Sequence, residues 1–470
     1  MRKRVLLLAA TLTTGLLTAL PATPAGAAPS RLSVDFNGDG YLDIALSAQG
    51  HDVGNARQAG AVVVLYGSAS GVSAARRSVI TQNSAGVPGT AETGDLFGAG
   101  LAAGDLDGDG YSDLVVGATG ESIGDRDSVG SATILWGGRS GLSGGAVVPQ
   151  PAGLPEWNDF GQGIAVADFD GDHKLDLTLT GRSKTRLYRG PFTRSGTPVT
   201  NTGVGELGTA GETFAGDLNG DGAAERFYPF LVDGDEGGDI IYYTRNSTGY
   251  TMKHLPKADG VTGSVADINR DGYGDVVLGD ASDPTGTKKS GHKGGRITVW
   301  YGGPAGPDPA QTPTVIDQDT TGVPGTGESD DLFGSSVATG DVNGDGYADV
   351  AVGAPGETLG KAREAGAVTI LFGSASGLTT KGAQGWTQDS KGVPGGSETG
   401  DQFGKSVRLV DVDRDGKADL VTGAGGEDGH GAVTVLRGSA SGLTTGSATF
   451  VAARDVAVTG TGFFAWVTAP

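Results

Sequence analysis

Short alternating runs of apolar residues recur along the whole chain, each closed by glycine, serine or aspartate. One set reads LDIALSA from Leu42, SDLVVGA from Ser112, LDLTLTG from Leu175, ERFYPFL from Glu225, GDVVLGD from Gly274, ADVAVGA from Ala348 and ADLVTGA from Ala418. A second set follows: GAVVVLYG from Gly60, SATILWGG from Ser131, KTRLYRG from Lys184, DIIYYTRN from Asp239, RITVWYGG from Arg296, AVTILFG from Ala367 and AVTVLRG from Ala432. Period-two alternation in β-branched residues predicts strands, and the Gly/Ser closings predict turns. A further strand precedes several units, as in LFGSSVATGD from Leu332. Beyond the first twenty residues, no stretch sustains a helical period.

Each unit therefore holds about four short strands, and the same acidic stretch marks every unit. DFNGDGYLD begins at Asp35, DLDGDGYSD at Asp105, DFDGDHKLD at Asp168, DLNGDGAAE at Asp217, DINRDGYGD at Asp267, DVNGDGYAD at Asp341 and DVDRDGKAD at Asp411. The copies start 70, 63, 49, 50, 74 and 70 residues apart. A lone four-stranded sheet cannot bury both faces; seven arranged radially bury each other and leave only short edges. The expected fold is all-β, a seven-bladed β-propeller with calcium-binding hairpin loops, spanning residues 30–470. A linear solenoid or two stacked sandwiches is the alternative arrangement of the same strands.

The two ends of the chain bear on how such a ring closes. The first acidic stretch has only a short strand before it, about Arg31 to Val34. The chain ends in VTGTGFFAWVTAP, an apolar strand with no loop after it. Gly462 to Thr468 is expected to return to the first blade. The other reading is an ordinary outer strand of the last blade.

Composition narrows the class. The 470 residues include 87 glycines, 20 prolines and no cysteine, and 37% are hydrophobic. Glycine without a triplet period excludes collagen, and ordered apolar bursts argue against disorder. Arg2, Lys3 and Arg4, the apolar run Val5 to Leu20 and the small residues Ala25-Gly26-Ala27 predict a secretory signal peptide over residues 1–27. The alternative is an uncleaved anchor. No second apolar run approaches the roughly 20 residues that span a bilayer. An exported, secreted monomer without a membrane span is expected, and with no cysteine it has no disulfides to stabilise it.

The net charge is −21, or −24 once the three basic residues of the leader are removed. Such acidity disfavours nucleic acid and anionic membranes as partners and calls for a bound cation. The seven acidic stretches hold 24 of the 55 Asp and Glu residues. Positions 1, 3, 5 and 9 of each carry oxygen side chains, and the position-7 carbonyl adds a fifth donor. This is the hard-ligand spacing of a calcium loop, with glycine at position 6 for the turn.

The expected ligands are Asp35, Asn37, Asp39, Tyr41 and Asp43 in the first loop and Asp105, Asp107, Asp109, Tyr111 and Asp113 in the second. The third has Asp168, Asp170, Asp172, Lys174 and Asp176, and the fourth Asp217, Asn219, Asp221, Ala223 and Glu225. The fifth has Asp267, Asn269, Asp271, Tyr273 and Asp275, and the sixth Asp341, Asn343, Asp345, Tyr347 and Asp349. The seventh has Asp411, Asp413, Asp415, Lys417 and Asp419. Up to seven calcium ions, structural rather than catalytic, follow from this reading. A single copy could equally be an Asp-Gly hairpin turn that binds nothing; seven copies favour calcium. The loops differ: His173 replaces the position-6 glycine, Glu225 lengthens position 9, and Arg270 and Arg414 stand at position 4.

Phe-Gly pairs precede four of these loops, at Phe97-Gly98, Phe160-Gly161, Phe333-Gly334 and Phe403-Gly404. Gly353-Ala354-Pro355 follows one loop, with near-matches at Gly117-Ala118-Thr119 and Gly423-Ala424-Gly425. The order resembles the FG-GAP repeat of the integrin α-subunit propeller and the related repeat (often called VCBS) of exported bacterial proteins. The resemblance implies a seven-bladed propeller with calcium in hairpin loops on one face. TAGETFAG and ADGVTGSV replace the Phe-Gly pair in the fourth and fifth units, which puts those blades in question.

Catalytic patterns are sparse. With no cysteine, thiol chemistry is excluded. His51, His173, His254, His292 and His430 show no metal-ligand spacing such as HExxH, and no GxSxG elbow occurs. The recurrent VPGTAETGDLFG at Val87, with counterparts at Val323 and Val393, places Glu92, Glu328 and Glu398 in blade connections, as caps or on one face of the ring. Trp157, Trp300 and Trp386 are candidates for stacking on a sugar or protein, and Trp300 lies within a strand signal. Two function classes remain: an extracellular binding or adhesion module for a protein or carbohydrate partner, and a secreted polysaccharide-active enzyme, a lyase or glycosidase, on a propeller scaffold.

Overall fold

Each of the seven units folds as a four-stranded antiparallel sheet. The computed structural model describes residues 34–203, 212–229, 240–255, 258–284, 291–460 and the strand Trp466–Val467. The expected signal peptide, residues 1–27, lies outside the described residues. Blade 1 has strands Ile44–Ala48, Ala61–Leu65 and Arg77–Ile80, and blade 2 Phe97–Gly104, Asp113–Ala118, Ser131–Trp136 and Ser143–Val147. Blade 3 has Gly163–Ala167, Asp176–Thr180, Thr185–Arg189 and Thr200–Gly203, and blade 4 Phe214–Gly216, Glu225–Pro229, Ile240–Asn246 and Gly249–Leu255. Blade 5 has Thr262–Ala266, Asp275–Asp280, Arg296–Trp300 and Thr314–Ile316. Blade 6 has Ser336–Gly340, Asp349–Ala354, Ala367–Phe372 and Thr379–Trp386, and blade 7 Phe403–Val410, Asp419–Ala424, Ala432–Arg437 and Thr444–Ala452. Units four and five, which lack the Phe-Gly pair, are complete four-stranded blades.

The sheets form a ring. First strands of consecutive blades touch in chain order from blade 2 to blade 7. Trp466–Val467 pairs antiparallel with Ile44–Ala48, in the register Leu46 to Val467 and Ser47 to Trp466, and also touches Phe403–Val410 of blade 7. Blade 1 thus takes one strand from the far end of the chain. Among the described residues no helix is long and apolar enough to cross a membrane.

Seven hydrophobic clusters fill the seven blade interfaces. Phe97, Leu101 and Leu114 of blade 2 pack on Val62 and Val64 of blade 1, and Val421, Val433 and Val435 of blade 7 pack on Leu46 and Val63 of blade 1. The leanest cluster lies between blades 3 and 4, around Ala165, Ala167, Phe169 and Leu187. There the fully buried Arg226 stacks 4.1 Å from the Tyr250 ring centroid and 5.2 Å from that of Phe169. Blades 1, 5 and 6 carry Ile44, Val276 and Val350 at the corresponding place, one residue after the loop.

Alternation in the sequence predicts half-buried strands, yet Asp113–Ala118, Asp275–Asp280, Asp349–Ala354 and Asp419–Ala424 are buried along both faces. The small residues of the alternation face the adjacent blade rather than water. Glycine explains how closely the blades approach. A Cβ on Gly353 would lie 2.0 Å from the carbonyl oxygen of Gly404 in the next blade, and one on Gly117 would lie 2.1 Å from that of Gly161. The glycine that opens GAP thus abuts the glycine of the following Phe-Gly pair. The phenylalanines beside these glycines, Phe97, Phe160, Phe333 and Phe403, are all fully buried.

Two stability predictions follow. Gly353→Ala drives a methyl into backbone that cannot yield and is expected to cost about 1–3 kcal/mol, read as a lower midpoint in urea. Deleting residues 459–470 removes the paired strand and the backbone contacts of Thr459 and Gly460 with His51 and His430. That deletion should lower the melting temperature by an amount worth at least about 2 kcal/mol; an unchanged melting temperature counts against closure by the C-terminal strand.

Candidate metal centres

The acidic loop joins the first and second strands in blades 2 to 7 and precedes Ile44–Ala48 in blade 1, and aspartate at position 1 organises each loop. Asp341 Oδ1 accepts the N–H of Gly344 at 2.6 Å and of Asp345 at 3.2 Å, and Oδ2 accepts that of Gly346 at 2.8 Å. Asn343 Oδ1 accepts the Asp345 N–H at 2.8 Å, and Asp345 Oδ1 the Tyr347 N–H at 3.0 Å. The position-6 bond to Oδ2 recurs at Asp35, Asp105, Asp168, Asp217, Asp267 and Asp411. Short polar side chains thereby fold the loop onto its own backbone.

The turn needs left-handed backbone at two positions. Position 4 has φ of +70° to +77° where it is glycine, and position 6 has +85° to +91°. His173 sits at +65°, Arg270 at +60° and Arg414 at +63°, so the His173 turn is strained as the sequence suggests. The two arginines lie against neighbouring loops: a Cβ on Gly346 would meet Arg270 Nη1, and one on Gly40 would meet Arg414 Nη1. The loops are also joined directly. Ser112 N–H donates to the Asp35 carbonyl at 3.0 Å, Ala224 to Asp168 at 2.7 Å, Gly274 to Asp217 at 3.0 Å, Ala348 to Asp267 at 3.3 Å and Ala418 to Asp341 at 2.7 Å. These bonds join loop 1 to loop 2 and loops 3 to 7 in series along one rim of the ring.

Position 9 opens the second strand and is buried. Asp349 is fully buried; its Oδ2 accepts the Val342 N–H and its Oδ1 the Gly373 N–H, both at 2.9 Å. Asp43, Asp113, Asp176, Asp275 and Asp419 bond alike, to Gly67, Gly137, Gly190, Gly302 and Gly438. Glu225 replaces the glycine contact with the Thr244 hydroxyl, which donates at 2.8 Å. The glycine donors are not apparent from the acidic motif; their signal is the glycine that closes the third strand, as in VLYG and ILFG.

Burial pushes the position-9 carboxyls up to about 7 in Asp43, Asp113, Asp176, Asp275, Asp349 and Glu225, although their hydrogen bonds pull the other way. Burial raises Asp419 to about 6, with the Gly438 N–H and Arg437 opposing it.

In three loops, carboxylate oxygens of positions 1, 3 and 9 converge within 4.8 Å: Asp105, Asp107 and Asp113; Asp168, Asp170 and Asp176; Asp411, Asp413 and Asp419. The position-5 aspartates stand outside these groups. The other four loops place Asn37, Asn219, Asn269 or Asn343 at position 3. An all-oxygen donor set around a buried carboxylate suits a hard divalent cation. Where position 3 is aspartate, an arginine contacts it. Arg194 reaches Asp107 at 2.5 Å and also contacts Asp109; Arg189 contacts Asp170; Arg437 lies 3.5 Å from Asp413.

The other sequence candidates are distributed as follows. Glu92, Glu328 and Glu398 are capped through their backbone N–H by Asp95, Asp331 and Asp401 at 2.6 Å. Trp300 is fully buried and Trp386 packs on the core, whereas Trp157 is 61% exposed. His51 and His430 flank the small cleft where Thr459 and Gly460 cross between blades 7 and 1.

The raised carboxyls set a pH dependence. Each takes up its proton more readily when folded than when unfolded, so its stabilising contribution is full below about pH 4 and is lost as pH rises through about 7. The metal-free chain is expected to melt at a lower temperature at pH 8 than at pH 5.5. Calorimetry in chelator checks the sign; a rise between those values contradicts it.

Comparison with known proteins agrees with this architecture. The FG-GAP repeat matches residues 32–65, 97–135, 333–371 and 403–436, and the FG-GAP-like repeat matches residues 168–228. Human integrin alpha-6 is 33% identical over 200 residues, 40% of this chain and 15% of its own length. Mouse phosphatidylinositol-glycan-specific phospholipase D is 28% identical over 197 residues, 42% of this chain and 22% of its own. The matched part is thus less than a quarter of either relative. Among solved structures, an Agrocybe aegerita lectin aligns over 74% of this chain and 81% of its own, at 16% identity and a TM-score of 0.41. With repeats matched in blades 1, 2, 3, 4, 6 and 7 and all seven sheets in place, the chain carries FG-GAP repeats and resembles the integrin α subunits.

Proposed function

We propose that this chain is a secreted, calcium-stabilised propeller that acts as an extracellular binding or adhesion module for a protein or carbohydrate. The observation that carries the calcium reading is the repeated buried carboxylate at position 9. Asp349 has two backbone N–H partners and no cationic side chain among its bonds. Ionised and buried, such a group is costly unless a cation faces it. Positions 1, 3 and 5 supply the remaining side-chain oxygens, and the position-7 carbonyl completes a calcium cage. The ions serve the scaffold, pinning the rim in a chain that has no disulfides.

The binding role draws its support from the relatives. Two proteins with unlike names, an integrin subunit and a phospholipase, each match this chain over about 200 residues. What they have in common is the repeat scaffold rather than one chemistry. Recognition then belongs to surfaces away from the acidic rim, and the exposed Trp157 is a candidate contact there. Export by the leader at residues 1–27 would place the chain where millimolar calcium fills even weak sites.

Two measurements test this reading. Calcium at a hundredfold excess over its dissociation constant is expected to stabilise the fold by about 2.7 kcal/mol per site, read as a large rise in melting temperature that chelator reverses. An unchanged melting temperature contradicts the metal assignment. A glycan array with calcium, run beside a polysaccharide-degradation screen, separates the two function classes. Binding without product release is expected, and release of product from any polymer contradicts the binding reading.

A further inference from the structure

The hairpin after the third strand carries a side chain that reaches the next blade. In blade 1 it is Tyr66, whose hydroxyl lies where a Cβ on Gly141 of blade 2 would be, 2.0 Å away. In blade 5 it is Tyr301, which stands 2.1 Å from such a Cβ on Gly377 and accepts the Leu378 N–H at 2.9 Å. Blades 3 and 7 have an arginine in this slot, and Arg189 of blade 3 contacts Asp170 of its own loop and donates to the Tyr250 hydroxyl of blade 4 at 3.0 Å. Arg437 is 6% exposed, and its Nη2 donates to the Ser70 carbonyl of blade 1 at 3.0 Å. A Cβ on Gly71 would fall on the same guanidinium. Unlike the tyrosines, this side chain also turns into its own acidic loop. Nη1 donates to Asp419 Oδ2 at 2.7 Å and lies 3.5 Å from Asp413 Oδ2. Those are two of the three carboxylates that converge in this loop.

We propose that Arg437 takes the place of the metal ion in the blade 7 loop, so that the junction of the last and first blades is held by an internal cation and not by calcium. One guanidinium does there what in blades 1 and 5 takes an aromatic contact and a divalent ion: it bridges to the neighbouring blade and neutralises the buried position-9 carboxylate. A planar fork with several donors suits this double task, because different nitrogens serve the two partners. A divalent ion at Asp413 and Asp419 would face a positive charge within contact distance, held by a side chain that is only 7% exposed. The arrangement in blade 2 differs. Arg194 is about half exposed and approaches Asp107 and Asp109 from the hairpin of blade 3, so it can swing away.

This inference rests on the calcium reading of the other loops, and counting ions separates the two. Calcium bound per chain is measured on the full chain by equilibrium dialysis at saturating calcium, for wild type, Asp341→Ala, Asp411→Ala and Arg437→Tyr. Asp341→Ala is expected to lose one ion, Asp411→Ala to lose none, and Arg437→Tyr, which installs the residue of blades 1 and 5, to gain one. A loss of one ion in Asp411→Ala, or an unchanged count in Arg437→Tyr, overturns the inference while leaving calcium in the other loops intact. Either variant decides alone if the other fails to fold. A wild-type chain that binds no calcium overturns the calcium reading and this inference together.

Discussion

A buried carboxylate at the start of each second strand joins three parts of the blade. One oxygen accepts an N–H from the acidic loop, and in six of the seven blades the other accepts an N–H from the turn after the third strand. A neutral side chain could fill the space but could not accept two backbone donors as strongly. The same group is a liability once ionised, because it sits in a wall of valine, leucine and alanine. The position-1 aspartates sharpen that conflict, Arg437 opposes it in blade 7, and loop-to-loop hydrogen bonds carry one blade's geometry to the next.

The answer differs from blade to blade in a systematic way. Where position 3 is asparagine, no arginine is found on it among the described residues. Where it is aspartate, Arg194, Arg189 or Arg437 stands beside it. An added carboxylate is accompanied there by an added guanidinium. Between blades 3 and 4 the matching goes further, since Arg189 donates to the Tyr250 hydroxyl while Arg226 stacks on that ring. Arginine and tyrosine take over there from the apolar packing of the other interfaces.

Much of this was legible in the sequence, because the signals were local and repeated. Strand alternation gave seven sheets, and the nine-residue spacing gave the loops, including the strained turn at His173. What stayed hidden depended on contacts between distant segments. Gly67 and Gly373 look like ordinary turn glycines until their N–H groups are seen to meet Asp43 and Asp349. Gly353 reads as part of a motif, but only the neighbouring Gly404 explains why no larger residue fits. Arg437 looks like a charged end to an apolar strand; its two roles need blade 1 in place. The alternating pattern also concealed the full burial of the second strands, because glycine, serine and threonine serve equally well against water and against a closely packed blade.

The central claim is that buried, proton-prone carboxylates are the groups that a divalent ion engages. The most direct test is calcium titration calorimetry at pH 6.5 in buffers of differing ionisation enthalpy, which counts protons released as ions bind. Carboxyls that titrate near 7 when metal-free should release protons to the buffer at pH 6.5, and the release should vanish at pH 9. Calcium binding with no linked proton release at pH 6.5 would contradict the account.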